Sequence, residues 1–212
     1  GVLFLDEFAE FPRHVLEALR QPMEDGFITI SRAHGRITFP AKFMLIAAQN
    51  PCPCGFLGDP KNQCRCMPGQ IIRYQKRISG PMLDRIDMHL SVPAVKIDKL
   101  TEHDNIKAES SKSIRKRVQE ARDMQTKRFK SASHSAKITS NSEMNSRQLK
   151  EFCPLSNECI LLLRRAVSAI NLSATSYHRT IKLARTIADL AKAKNIEPPH
   201  IAEALQYRPK VE

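Results

Sequence analysis

The 212-residue sequence has no tryptophan, only 3 tyrosines, and no apolar run approaching the roughly 20 residues that a membrane-spanning helix requires. A helical membrane span is excluded, and charged and hydrophobic fractions of 26% and 42% are those of an ordinary soluble globular chain. No initiator Met is present, and the apolar opening has neither a basic segment before it nor a small-residue cleavage site. It does not read as a secretory signal, so the cytoplasm is the expected compartment. With only 7 glycines, the chain also lacks a G-x-x-x-x-G-K-[ST] loop or any other Gly-rich loop followed by Lys. Nothing in it can cradle the β- and γ-phosphates of a nucleotide. Because its first residues already have the character of a core strand, the chain is expected to be part of something longer. Acidic residues are in deficit, 22 against 34 Lys and Arg, and the net charge of +12 favours polyanionic partners such as nucleic acid or nucleotide phosphates.

Residues 1–5 form an apolar run without polar alternation, which predicts a strand buried on both faces of a parallel sheet. Asp6 and Glu7 stand at its C-terminal end. Pro12 suits a helix start, and Val15, Leu16 and Leu19 keep helical spacing until a break at Gln21-Pro22. Residues 27–31 and 36–39 alternate apolar with polar side chains around Ala33-His34-Gly35. That pattern predicts a hairpin whose tip carries Arg32, His34 and Arg36. Residues 43–48 form a second apolar strand, ending at Gln49-Asn50-Pro51 in a Cys-, Pro- and Gly-rich loop that runs to about Gly69.

Residues 99–150 hold 13 Lys and Arg against 6 Asp and Glu, so this stretch supplies +7 of the +12. Ile114, Val118, Ala121 and Gln125 mark one face of a helix, whereas residues 131–142, rich in Ser, His and Lys, read as a linker. Helical patterns follow over residues 146–152, 157–170, 173–194 and 199–207, which predicts a small all-α bundle.

An acidic pair at the rim of a parallel sheet suits a metal-dependent hydrolase, with Asp6 holding Mg²⁺ through water and Glu7 orienting and deprotonating the attacking water. A solvated acidic turn after an apolar strand is the plainer alternative. Cys52, Cys54, Cys64 and Cys66 form two Cys-x-Cys pairs separated by nine residues. Four thiolates converging from two turns are what a closed Zn²⁺ site needs, although the spacing within each pair is tighter than usual. Free structural or redox thiols and an iron–sulfur cluster are the alternatives for this loop. Cys153 and Cys159 have no matching spacing and read as ordinary packing. Arg32 and Arg36 at the hairpin tip fit contacts to a nucleic-acid backbone, which need only positive charge and reach, or else a solvated turn.

Taken together, G-V-L-F-L-D-E, Q-P-M-E-D-G, I-A-A-Q-N-P and I-S-G-P-M-L-D-R-I-D resemble the ATPase module of AAA+ proteins from Gly1 to about Tyr207. More narrowly they resemble the magnesium-chelatase-like branch that ComM-type competence proteins typify. The resemblance implies an α/β fold: the second half of an AAA+ P-loop ATPase core, a parallel sheet with flanking helices and a β-hairpin insert, followed by an all-α lid. The implied boundaries are 1–98 for the half-core, 99–135 for a basic connecting helix and linker, and 136–212 for the lid. It gives Asp6 and Glu7 the Walker B roles stated above and makes Asn50 the sensor that contacts the γ-phosphate or the lytic water. Arg85 matches the arginine finger supplied to a neighbouring subunit's ATP; without the family, a surface ion pair with Asp84 or Asp87 is the simpler account. The hairpin tip, with Arg32, His34 and Arg36, matches the pore hairpin of related ring helicases.

Two departures accompany the resemblance. The phosphate-binding loop is missing, so these 212 residues are expected to be inactive alone. In the lid, where the family commonly has Arg after Ser-Ala, the chain reads Ser173-Ala174-Thr175-Ser176-Tyr177, which leaves Arg179, about one turn on, as the candidate cation. The implied cofactors are ATP and Mg²⁺, with Zn²⁺ at the cysteines. The implied partners are further copies in a ring, a hexamer in such motors, and single-stranded or branched DNA, with no membrane. The rivals are the ATPase subunit of a porphyrin magnesium chelatase and a zinc-bearing nucleic-acid-binding module without ATPase activity. The cysteine loop and the basic balance favour the DNA-acting branch.

Overall fold

Val2–Leu5 (β1) pairs in parallel with Met44–Ala47 (β4), in the register Val2 with Met44, Leu3 with Leu45, Phe4 with Ile46 and Leu5 with Ala47. This computed structural model describes residues 1–33, 35–93, 109–130 and 138–209. They fall into two compact units, Gly1–Ile86 with Ser91–Val95, and Asp87–Leu90 with Lys96–Glu212. No described helix is long and apolar enough to cross a membrane.

In the first unit, side-chain alternation along β1 and β4 divides the two strands into two faces. Leu5 and Leu45 pack on a core of Phe8, Ala9, Leu16, Tyr74, Ile78 and Met82. Val2, Phe4, Met44 and Ile46 share the opposite face and are exposed. A strand buried on both sides was expected; among the described residues, apolar cover lies against one face only. After a 3₁₀ turn over Phe8–Glu10 come Arg13–Ala18 (α1) and Arg20–Asp25 (α2). The helical run breaks at Leu19 rather than at Gln21-Pro22, because Pro22 sits in the first turn of α2, where a missing N–H costs no intrahelical bond. Gly26, at φ 72°, ends α2 in the left-handed region that glycine enters without penalty, and its N–H donates to the Pro22 carbonyl at 3.0 Å.

Phe27–Arg32 (β2) and Gly35–Pro40 (β3) then form the expected antiparallel hairpin, with Ser31 opposite Arg36 and Arg32 opposite Gly35. The last described helices of this unit are Pro68–Gln75 (α3) and Gly80–Leu83 (α4), which deliver Tyr74 and Met82 to the core.

The second unit is helical: Ser111–Lys130 (α5), Ser146–Phe152 (α6), Asn157–Ile170 (α7), Ala174–Leu190 (α8) and Pro198–Gln206 (α9). Asn145, Ser156 and Ser173 accept from the backbone N–H three residues on and so cap α6, α7 and α8. The core gathers Phe129, Met144, Leu149, Leu163, Ile181, Ala184, Ala188, Ile201 and Ala204, together with Cys153 and Cys159, which are packed as ordinary apolar residues. The expected linker over 131–142 ends early: residues 131–137 lie outside the described residues, and Asn141–Glu143 forms a 3₁₀ turn with Asn141 buried.

A polar centre holds that turn. Asp189 on α8 is buried and accepts from Arg128 on α5, from Asn141 Nδ2 at 2.8 Å and from Arg185 Nε at 3.1 Å. Asn141 Nδ2 also donates to Thr186 Oγ1 at 3.1 Å, and its backbone N–H to Gln125 at 3.1 Å. Apolar periodicity carries no trace of these bonds, so a segment anchored by them looks like a linker. Replacing Asp189 with Ala leaves the buried Arg185 without its countercharge, and the expected loss is about 3–5 kcal/mol of stability for this unit. Denaturant unfolding followed by far-ultraviolet circular dichroism measures it. A loss below about 1 kcal/mol would mean that the apolar core alone holds the helices together.

Candidate functional site

Parallel pairing sends β1 and β4 out of the sheet at the same edge, so the residues after Leu5 and after Ala47 emerge side by side. The Phe8 N–H donates to the Ala48 carbonyl and the Ala48 N–H to the Leu5 carbonyl, both at 2.9 Å, which extends this alignment past the strands. Asp6, Glu7 and Asn50 are therefore brought to one edge, all exposed.

Glu7 stands there at φ 49°, ψ 44°, in the left-handed region, which costs an ordinary residue on the order of 1 kcal/mol. The cause is local. Phe8 and Ala9 are buried beneath the sheet, so the chain must reverse at Glu7 to bury them. The Glu7 N–H donates to Asp6 Oδ1 at 2.9 Å, and the Glu10 N–H to the Glu7 carbonyl at 2.7 Å. Arg77, just past α3, braces the turn by donating to the Ala9 carbonyl at 3.2 Å and to the Glu10 carboxylate.

The loop that follows Asn50 folds back towards it, and a β-carbon added to Gly55, at φ 81°, would lie 3.9 Å from the Asn50 amide. Cys52, two residues past Asn50, is fully buried. Its Sγ lies 3.4 Å from that of Cys54 and 3.7 Å from that of Cys64, and the Cys54 and Cys64 sulfurs are 3.6 Å apart. With Cys66 included, all ligand atoms lie within 4.8 Å of one another. Four sulfurs at Zn–S bonds of about 2.3 Å would stand about 3.8 Å apart at the corners of a tetrahedron, so the cluster fits zinc closely.

Backbone N–H groups of Phe56 and Arg65 point at the Cys54 sulfur and draw its thiol down to about 6. The Cys66 N–H draws Cys64 down, but burial and the neighbouring thiols of Cys54 and Cys52 outweigh it and leave Cys64 raised. Burial pushes Cys66 up to about 12. These sulfurs resist bearing charge together unless a cation joins them. Burial raises the phenol of Tyr74, and the Glu10 carboxylate adds to that rise against the opposing charge of Arg77.

Arg85 follows α4 in the same unit. Its partner is neither Asp84 nor Asp87, the candidates of the simpler sequence account, but Glu24 at the end of α2, with Nη2 at 2.7 Å and Nε at 3.1 Å from Glu24 Oε2. Glu24 stands in Q-P-M-E-D-G, a stretch in which sequence reasoning assigned no residue a role; a pairing across 61 residues leaves no periodic signal. Arg179, on α8 in the helical unit, pairs with Asp87 of that unit at 2.6 Å, and its buried Nε has no hydrogen-bond partner. Burial and the Arg179 charge hold the Lys182 amine below its ordinary range.

Arg32 and Arg36 are exposed at the far end of the hairpin, whereas His34 lies outside the described residues. Because Ser31 faces Arg36 and Arg32 faces Gly35, the register sends the two arginines to opposite faces of the ribbon.

Comparison with known proteins adds to this geometry. Residues 1–100 match the family described as magnesium chelatase, subunit ChlI, and residues 108–208 match the C-terminal region of the same subunit. The chain is 44% identical over 208 residues to the competence protein ComM of Haemophilus influenzae. It is 40% identical, over the same length, to the uncharacterized protein YifB of Salmonella typhimurium and to that of Escherichia coli. Each match covers 98% of this chain and 39% of the relative, so the chain spans about two fifths of their length.

Proposed function

The chain belongs to the magnesium-chelatase ChlI-like family of AAA+ proteins, and we propose that it is the C-terminal portion of a ring-forming ATPase that moves on DNA. The complete protein, in this reading, is a ComM-like branch-migration helicase, a hexamer that hydrolyses ATP at its subunit interfaces. The observation that carries the reading is the β1–β4 register, which sets Asp6, Glu7 and Asn50 at one sheet edge. The first unit belongs to the second half of the ATPase core, α5 is the basic connecting helix, and the helices from α6 onward form the lid.

Exposed carboxylate oxygens at that edge suit a hard cation, so Asp6 would hold Mg²⁺, which neutralises charge on the phosphates. Glu7 orients the attacking water and accepts its proton. The Asn50 amide, able to donate and to accept, bridges that water and the γ-phosphate. Arg85 acts on the ATP of the next subunit, where its fixed charge meets the charge that develops in the transition state. Arg179 is the lid's candidate phosphate contact, reached by releasing Asp87. Arg32 and Arg36, with His34 between them in sequence, present charge to a DNA backbone from both faces of the hairpin, in keeping with the net charge of +12. Cys52, Cys54, Cys64 and Cys66 hold one Zn²⁺, which stiffens the loop that follows Asn50.

In the complete protein, Glu7→Gln is expected to keep ATP affinity and to lose about 10²-fold or more of turnover, since the amide keeps the shape without the base. Phosphate release and nucleotide binding measured side by side test this; turnover at the wild-type rate refutes the assignment. Elemental analysis is expected to find one zinc per chain, lost together with thermal stability in Cys64→Ser or Cys66→Ser. A metal-free protein with four titratable thiols would overturn the zinc site. For the hairpin, Arg32→Ala with Arg36→Ala is expected to weaken binding to all DNA sequences alike. The salt slope should shrink by about 0.9 for each duplex phosphate that is no longer neutralised, or by about 0.7 on a single strand. Anisotropy titrations across a salt series measure both, and absence of DNA affinity at low salt would favour a metal-chelatase partner instead.

A further inference from the structure

A guanidinium has five N–H groups, and Arg85 spends three of them inside its own unit. Nε and Nη2 donate to Glu24 Oε2 at 3.1 and 2.7 Å, and Nη1 donates to the Pro81 carbonyl at 2.8 Å. One N–H on Nη1 and one on Nη2 remain. The two segments that make this arrangement are both seated in the apolar core. Met23, beside Glu24, and Met82, Leu83 and Ile86, around Arg85, all belong to the same cluster. The ion pair therefore joins two fixed points. The Arg85 side chain is only 19% exposed, so its direction is set, while that of Glu24 is 53% exposed.

We infer that Glu24 is the positioning residue of Arg85: together with the Pro81 carbonyl it fixes the plane of the guanidinium and leaves one N–H on each terminal nitrogen for an anion on a neighbouring molecule. The inference rests on the proposed arginine-finger reading and deepens it. A planar fork recognises phosphate oxygens only when its plane is right, and a lone arginine on a surface turn samples many rotamers. Orienting the fork in advance removes that search from the transition state. A carboxylate in this place does not touch the nucleotide; it acts through Arg85.

Glu24 is more than half exposed, so its ion pair contributes little to folding, and a purely structural role and a positioning role part company in the kinetics. The complete, zinc-loaded protein is assayed for steady-state ATP hydrolysis as wild type, Glu24→Ala, Glu24→Gln, Arg85→Ala and the Glu24→Ala/Arg85→Ala double variant, with thermal melts of each. The expected result for Glu24→Ala is a kcat lowered about 10-fold or more with KM for ATP and melting temperature unchanged. Glu24→Gln, which keeps an acceptor oxygen in place, recovers part of the rate. Arg85→Ala costs on the order of 10³-fold, and the double variant is no slower than Arg85→Ala alone, because Glu24 has nothing left to position. A wild-type kcat in Glu24→Ala beside a crippled Arg85→Ala overturns the positioning role and leaves the finger standing. A double variant slower than Arg85→Ala places the action of Glu24 elsewhere and overturns it as well. If Arg85→Ala turns over normally, the finger reading itself falls and takes this inference with it.

Discussion

Eight residues in two parallel strands set the terms for the first unit. A parallel pair, unlike a hairpin, delivers both of its C-terminal ends to one side, and the acidic pair and the cysteine loop of this unit are both reached from that side. Asp6 and Glu7 leave β1 there, and Asn50 and the four cysteines follow β4 there. Two backbone bonds beyond the strands, between Phe8 and Ala48 and between Ala48 and Leu5, carry the registration past the last paired residues. A slip of one residue in this register would turn either Leu5 or Leu45 away from the core and shift the chain after Ala47 by a residue relative to Glu7.

From this edge two supports run into the unit. One is the cysteine loop, which begins two residues after Asn50 and returns to the chain at α3. That helix supplies Tyr74 to the core and leads to Arg77, whose guanidinium grips the turn after Glu7. The loop thus enters α3 at its start, and the acidic turn is gripped from just past its end. The second support is α2, which offers Glu24 to Arg85 and two residues later, at Gly26, turns directly into the hairpin strand β2. The hairpin and Arg85 share a helix of six residues, short enough that neither can shift far without the other.

Much of this was legible in the amino-acid order, and the parts that were not have a common cause. Apolar runs and alternation marked β1, β2, β3 and β4, and the side-chain caps at Asn145, Ser156 and Ser173 sit at the starts of helices that periodicity had located. The Cys-x-Cys pairs predicted a convergence of sulfurs that the fold delivers. Polar contacts between distant residues were invisible, because a carboxylate or an amide looks the same in sequence whether it faces water or a buried arginine. Asp189, Asn141 and Glu24 all belong to this class. Pro22 misled for a different reason: a proline ends a helix when it falls in the interior, yet is harmless in a first turn, and spacing alone does not say which turn it occupies.

The left-handed backbone at Glu7 has a further consequence on the scale of evolution. Glycine or asparagine would occupy that conformation at lower cost, so the carboxylate proposed to activate water is held at a position where the backbone favours other residues. On that proposal, any copy of this gene released from the need to hydrolyse ATP starts with a stabilising substitution open to it at the very residue that activity requires. Loss of the motor in such a lineage would begin as a gain in robustness, and the first sign of it would be a smaller side chain after Asp6.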